Sequence, residues 1–276
     1  YTVLTNPPPS AGGGLIGAGL RIAERLGVGE EDFLSREHQL AMAALLATVS
    51  DIRQSGYDQR LHADPQSIRD LVAGDGIAAW IERARSLLAE NRLGATTHIS
   101  VIDADRMAAA MTSSNGEGCG RALPGLGIHV NNFLGEDDIN PGGFHQLPPG
   151  SRMSTMMSPT IVVAGERPCF ALGSGGSNRI RSAILQALLN LLAYRRPLDE
   201  AVNAARMHVE GGALWFESAG LAVGAAEALE KAWPAATRFD QPSVFFGGVN
   251  CVAYGHDHLY GAGDRRRGGV VVVAEK

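Results

Sequence analysis

Through the first 95 residues the apolar positions recur mostly at helical spacing, and beyond them short stretches alternate as strands do. Leu15 to Leu26 carries the helical pattern and is stopped by Gly27. Ahead of it, Asn6-Pro7-Pro8-Pro9-Ser10 reads as extended or turn-like, and Gly12-Gly13-Gly14 follows. Ser35 is placed to cap a second helix, with His38-Gln39 in its first turn and Leu40, Ala44, Leu45 and Val49 on its apolar face. A third helical stretch is predicted from Ile77 to Asn91.

The texture changes at Gly94-Ala95-Thr96-Thr97. Thr96 to Ile102 predicts a strand, Asp103-Ala104-Asp105-Arg106 a turn, and Met107 to Ser113 the return strand. The form recurs at Thr160 to Ala164, Gly165-Glu166-Arg167-Pro168 and Cys169 to Leu172. Two such hairpins predict an antiparallel sheet with one buried face. Between them lies a Gly/Asn/Pro-rich stretch from Asn115 to Arg152, and a loop of that length in a folded domain is usually functional or disordered. Gly173-Ser174-Gly175-Gly176-Ser177 then leads into a helix from Asn178 to Tyr194. A further helix after Pro197 is expected to carry Glu200, Ala201 and Arg206. Strands are expected at Ala213–Glu217 and Ser243–Val252, and the Val270–Val273 run predicts a buried strand. Helices, strands, helices, strands in that order imply stacked layers of an α+β fold, not a βαβ alternation.

Composition narrows the functional classes. The chain has 276 residues, 45% of them hydrophobic and 19% charged, enough for a sizeable core and too apolar for disorder. A net charge of −5 gives no basic field for nucleic acid. No run of about 20 apolar residues spans a membrane. Cys119, Cys169 and Cys251 are too few for a disulfide framework, and their odd number favours free thiols. No targeting segment is legible, so the compartment, cytoplasmic or periplasmic, stays unread.

Four segments can carry chemistry. Thr96 follows a small residue at the junction of helical and strand texture. A threonine hydroxyl needs a base, and a threonine that opens a chain has one in its own α-amino group, whose pKa is about 7.7–8.0. That requires cleavage between Ala95 and Thr96; the plain alternative is that Thr96 and Thr97 start a strand. Gly173-Ser174-Gly175-Gly176 joins a strand to a helix, where successive N–H groups form an anion cradle, either an oxyanion hole or a phosphate loop. A nucleotide role is disfavoured, because Asn178 stands where a dinucleotide fingerprint has its third glycine and no Gly-Lys-Ser/Thr occurs. Glu136-Asp137-Asp138, after Asn131-Asn132-Phe133-Leu134-Gly135, can hold an amine or a metal, or be a solvated loop. The hydroxyls of Ser154-Thr155-Met156-Met157-Ser158 can hold a carboxylate or satisfy a turn. His256-Asp257-His258 is weak metal evidence.

In content and order, Asn6-Pro-Pro-Pro-Ser-Ala-Gly-Gly, Thr96-Thr-His-Ile-Ser-Val, Gly127-Ile-His-Val-Asn-Asn, Ser158-Pro-Thr-Ile-Val-Val, Gly173-Ser-Gly-Gly-Ser and Gly247-Gly-Val-Asn resemble the γ-glutamyltransferase family of the N-terminal-nucleophile hydrolases. The resemblance implies a four-layer αββα sandwich and a precursor that cuts itself before Thr96. Residues 1–95 would be the C-terminal part of a large subunit whose upstream remainder is a partner, and residues 96–276 the small catalytic subunit. It implies Thr96 as nucleophile, Ser114 as the supporting hydroxyl, and Gly175 and Gly176 as the oxyanion pair. Ser154 and Thr155 would hold the substrate carboxylate, with one residue more than usual at Met156-Met157, and Glu136 its α-amino group. The reaction implied is acyl transfer from glutathione or another γ-glutamyl amide to water or an amine, with no cofactor or metal. A relative acting on cephalosporin-type acyl amides is the alternative, and an uncleaved binding protein on the same fold is a further one. Three departures stand out. Phe133 replaces the second acceptor for the α-amino group, Gly116 falls where the family has Asn, with Asn115 adjacent as a substrate-binding candidate, and the glycine loop lacks its proline.

Overall fold

Both predicted hairpins form, but in different sheets. The computed structural model describes residues 1–73, 77, 79–81, 96–140, 142–255 and 258–274. Strands β2 (Thr97–Ile102) and β3 (Ala108–Ser113) make a two-stranded antiparallel sheet in register Thr97 with Ser113 and Ile102 with Ala108. Strands β4 (Thr160–Ala164) and β5 (Arg167–Gly175) belong instead to a five-stranded antiparallel sheet in the order β1-β4-β5-β9-β10, with β1 at Thr2–Leu4, β9 at Gly248–Gly255 and β10 at His258–Gly263. Strands β6 (Met207–Glu210), β7 (Ala213–Glu217) and β8 (Thr237–Phe239) form a third sheet, β8 running parallel to β7.

The layering follows from which faces are apolar. The β2–β3 hairpin lies on β5 and β9, while helix α5 (Arg179–Leu192) covers those two strands and packs on α1 (Ala11–Leu26). Leu172, Val249, Cys251 and Ala253 of the sheet join Leu15, Ile22, Ile184 and Leu188 of the helices in one core. Helix α2 (Arg36–Ile52) packs on α1, on β6 and on α7 (Ala225–Ala232). Its Ser35 Oγ accepts from the His38 N–H at 3.2 Å, the cap its sequence predicts. The chain then kinks where Ser55 and Gly56 leave helical geometry, giving α3 (Asp58–Ala63) and α4 (Pro65–Ala73).

Helix α1 begins at Ala11 and takes the three glycines inside it, four residues earlier than the apolar pattern predicts. The free N–H groups of its first turn explain this: those of Ala11 and Gly12 donate to the Thr155 carbonyl at 3.0 and 3.2 Å, and Ser10 Oγ donates to the Met157 carbonyl at 3.0 Å. A side chain at Gly12 would collide with Ser158 and the Met156 backbone. The Pro-rich entry and its glycines thus clamp the Ser154–Ser158 segment.

Three expectations fail. The helix after Pro197, α6 (Leu198–Asn203), stops before Arg206, whose backbone N–H is taken by Glu217 Oε2 at 3.0 Å. Ser243–Val252 is not one strand, because Val244–Phe246 makes a turn of 3₁₀ helix ahead of β9. Val270–Val273 is neither buried nor a strand; it runs against Gly261 and Gly263 of β10 without a ladder, and Val270 and Val272 are 80% and 87% exposed. The Ile77–Asn91 helix, Ala95, and His256-Asp257 lie almost entirely outside the described residues.

Candidate active site

Thr96 sits immediately before β2, and two glycines of β5 let the hairpin approach. A Cβ at Gly175 would fall on the Thr96 carbonyl, and one at Gly173 on the His98 ring. The buried His98 ring is fixed at both nitrogens, Nδ1 at 2.7 Å from Thr112 Oγ1 and Nε2 at 2.7 Å from Ser100 Oγ. Burial lowers its pKa to about 4, so it is a neutral ring that ties β2 to β3.

The Thr96 hydroxyl donates to Ser114 Oγ at 3.3 Å, and the same oxygen accepts the Gly116 N–H at 3.0 Å. Gly116 has φ +64°, and a side chain there would collide with the Glu136 carboxylate and the Asn132 amide. The place where the family has Asn is therefore filled by Glu136 and Asn132. Glu136 Oε1 accepts the Glu117 N–H at 2.7 Å, and Asn132 Oδ1 accepts those of Glu117 and Gly118 at 2.9 and 3.0 Å. Asn140 Nδ2 donates to the carbonyls of Phe133 and Glu136 at 2.7 and 2.8 Å. The long Gly/Asn-rich stretch is thus pinned by side-chain bonds beside Thr96.

A cleft opens there, about 640 Å³ of empty space including the open solvent at its mouth. Thr96 and Ser114 line one part, and Ser154, Thr155 and Met156 another, with Phe133, Glu136 and Asp138 among its other walls. Burial raises the carboxyl pKa of both Glu136 and Asp138; the Glu117 N–H opposes it at Glu136 and Arg53 opposes it at Asp138. The glycine turn also reaches the cleft, through Ser177. Gly176 and Ser177 have φ +134° and +53°, the second uncommon for a residue with a side chain, and the buried Ser177 Oγ has no partner. Asn115 stands apart: its Nδ2 donates to the His129 carbonyl at 3.2 Å, and it lines a shallow groove with Thr96, Thr97 and Arg267 instead of the main cleft.

The family model described as Gamma-glutamyltranspeptidase matches residues 1–274. The chain belongs to the gamma-glutamyltranspeptidase family. Among curated relatives of this family, it is 32% identical to the Acylase ACY 1 proenzyme of Pseudomonas sp. (strain V22), over 99% of this chain and 50% of the relative. It is 25% identical to the Glutathione hydrolase proenzyme of Bacillus subtilis (strain 168), over 99% of this chain and 51% of the relative. The chain thus spans about half the length of the curated relatives it matches. Among solved structures, the Gamma-glutamyltranspeptidase from Pseudomonas nitroreducens complexed with L-DON superposes with a TM-score of 0.56 at 28% identity, covering 65% of this chain and 100% of that one. The cephalosporin acylase from Bacillus halodurans shares the fold, with a TM-score of 0.71 over 99% of this chain and 51% of that one at 19% identity.

Sequence reasoning missed Arg53. Its buried guanidinium donates through Nε to Asp58 Oδ2 at 3.1 Å and makes close hydrogen bonds to Asn178 Oδ1 and the Asp138 carbonyl. It joins the end of α2, the start of α5 and the acidic turn beneath the cleft. Nothing in its local pattern marks it, because all its partners but Asp58 are distant in sequence.

Proposed function

We propose that the chain is the carboxy-terminal part of a self-cleaving acyl-amide hydrolase or acyl transferase, with Thr96 as nucleophile. Residues 1–95 end a large subunit, residues 96–276 form the small subunit, and the two intertwine in the four-layer αββα sandwich. Support comes from the relatives, which are named as proenzymes, and from the solved P. nitroreducens chain, which aligns over its full length with about two thirds of this chain, the share that residues 96–276 make up. The observation that carries the reading is the Thr96 hydroxyl bonded to Ser114 at the mouth of the cleft.

In this reading the freed Thr96 amine takes the hydroxyl proton as Thr96 Oγ attacks the amide carbon. The carbonyl electrons move to an oxyanion held by N–H groups of the turn that includes Gly175 and Gly176. Collapse expels the amine, which leaves with the proton, and the Thr96 ester passes its acyl group to water or to a second amine. Ser114 orients the attacking hydroxyl. Ser154 and Thr155 hold the far carboxylate of a glutaryl or γ-glutamyl chain, and Glu136 its ammonium. Glutathione and other γ-glutamyl amides are the first substrates to try. Acyl amides without the α-amino group are the second, favoured by Phe133, whose ring offers the cleft no acceptor.

The experiment is mass spectrometry of the complete protein mixed briefly with a chromogenic γ-glutamyl or glutaryl anilide. An acyl adduct on the peptide that begins with Thr96, absent in Thr96→Ala, is expected. Turnover retained by Thr96→Ala would overturn the assignment.

A further inference from the structure

The shallow groove lined by Thr97, Ser113, Asn115 and Arg267 is separate from the main cleft, yet Thr96 and Ser114 line both. The two concavities therefore meet at the Thr96–Ser114 hydroxyl pair. Their linings differ in kind. The main cleft has Phe133, Met153, Met156 and Ile180 on its walls, together with the carboxyl groups of Glu136 and Asp138. Among the described residues, the groove has no large apolar side chain and no carboxylate, and its one charge is the cation of Arg267.

Arg267 ends a turn of three arginines, Arg265–Arg267, that follows β10. Arg265 pairs with Asp199, and Arg266 with Glu217 and Asp264. Arg267 is instead carried toward Thr96. Its aliphatic stem crosses Gly248, where an added Cβ would meet its Cβ, Cγ and Cδ, and its Nη2 lies 3.6 Å from the place a Cβ would take on Gly176. Thr96 packs on Gly175 in the same way, so Thr96 and Arg267 flank the glycine pair. The Arg267 Nη2 donates to the Val244 carbonyl at 3.4 Å, at the exposed surface. That long bond engages one of the five N–H groups of a guanidinium, a planar fork that matches a carboxylate.

We propose that this groove holds the leaving amine of the substrate, and that Arg267 selects amines that carry a carboxylate, as an amino acid or a short peptide does. The inference rests on Thr96 being the nucleophile. An amide with its carbonyl carbon at Thr96 Oγ sends two arms away from that carbon. The acyl arm takes the main cleft. The amine arm lies on the other side of the hydroxyl pair, in the groove, where the charge it meets is positive.

The test uses the complete protein and amides of one acyl group, glutaryl or γ-glutamyl, whichever anilide is turned over faster. The amines are glycine, glycylglycine and triglycine, each as the free acid and as the carboxamide, so that each pair differs in its terminal charge. Released amine is measured. At the length that best spans from Thr96 to Arg267, the acid should exceed its carboxamide in kcat/KM by about tenfold or more, the worth of one charge-assisted hydrogen bond. Arg267→Gln should bring that ratio to about one, and so should salt at about 1 M in the wild type, which screens a partly exposed pair. An arginine that acted on the oxyanion would change acid and carboxamide alike and leave the ratio as it was. Equal rates within every wild-type pair, or an acid preference that persists in Arg267→Gln or in salt, would overturn the inference while turnover of an anilide left the Thr96 reading standing. No turnover of any amide would overturn both.

Discussion

At the scale of single residues, the proposed mechanism makes the hydroxyl pair and the cleft's charge pattern the determinants of rate and specificity. Ser114→Ala removes the acceptor that aims Thr96 Oγ and leaves the Gly116 N–H without its bond. We predict a fall in kcat of roughly tenfold or more, from about 1.4 kcal/mol or more of lost orientation, with KM little changed, measured on either anilide. Glu136 and Phe133 make a second prediction. Glu136 Oε1 is already bonded to the Glu117 N–H and the Phe133 ring offers no acceptor, so in the proposed site this side would hold an ammonium less well than one with two acceptors. We predict that glutaryl anilide is the better substrate and that Phe133→Gln improves γ-glutamyl anilide by about one to two decades, the worth of one charge-assisted bond. Asp138, on the same wall, is the residue able to defeat this, and a strong wild-type preference for the γ-glutamyl compound would show that it does.

At the scale of elements, the seating of one hairpin on another sheet places Thr96, the proposed nucleophile. Gly173→Ala sets a methyl group on the His98 ring, which its bonds to Ser100 and Thr112 prevent from moving aside. We predict a loss of about 1–3 kcal/mol in stability, read by denaturant unfolding, together with a kcat loss from a displaced Thr96. Normal stability and rate would show that the hairpin is free to slide. The same elements mark what was legible in the sequence. Alternation gave β2 and β3, short apolar runs gave β4 and β5, and 3.6-residue spacing gave α1 and α2, while α5, buried at every position from Arg179 to Leu191, was also read as a helix. Strands β1, β6, β8 and β10 and helices α3, α4 and α7 were not read; β1 and β8 are three residues long and carry no period, and α3 and α4 are largely polar outside Leu61, Ile68 and Leu71. Val270–Val273 has strand propensity, but propensity builds a strand only where an edge accepts it. Thr96, Ser114, Glu136, Ser154 and Thr155 line one cleft, whereas Asn115 is turned toward His129 and Arg53 had no local signal.

At the scale of the whole molecule, buried charge and buried histidines set the pH range of stability. Burial lowers the pKa of His38 and His98 to about 4, and that of His208 well below its ordinary value. Their folded values lie below the unfolded value of about 6.5, so the unfolded chain binds more protons in that window. Their contribution is present above pH 6.5 and is lost as the pH falls toward 4; thermal melts across that range should decline, and a flat Tm would contradict this. Below it lies Asp264. Burial alone would raise its carboxyl, but Arg206 at 2.6 Å and Arg266 at 3.2 Å outweigh it and hold the pKa below the usual range. That contribution is present above about pH 4 and is lost only in stronger acid. Asp264→Asn leaves two buried guanidinium groups short of charge and should cost about 3–5 kcal/mol, read as a Tm lower by on the order of 10 °C.

The central claim is that the chain is cut before Thr96, and the complete protein tests it by intact mass and amino-terminal sequencing after purification. We predict two polypeptides, the smaller beginning Thr96-Thr97-His98, and one uncut chain in Thr96→Ala. A wild-type protein that stays uncut, or a Thr96→Ala variant cut at the same bond, would contradict it.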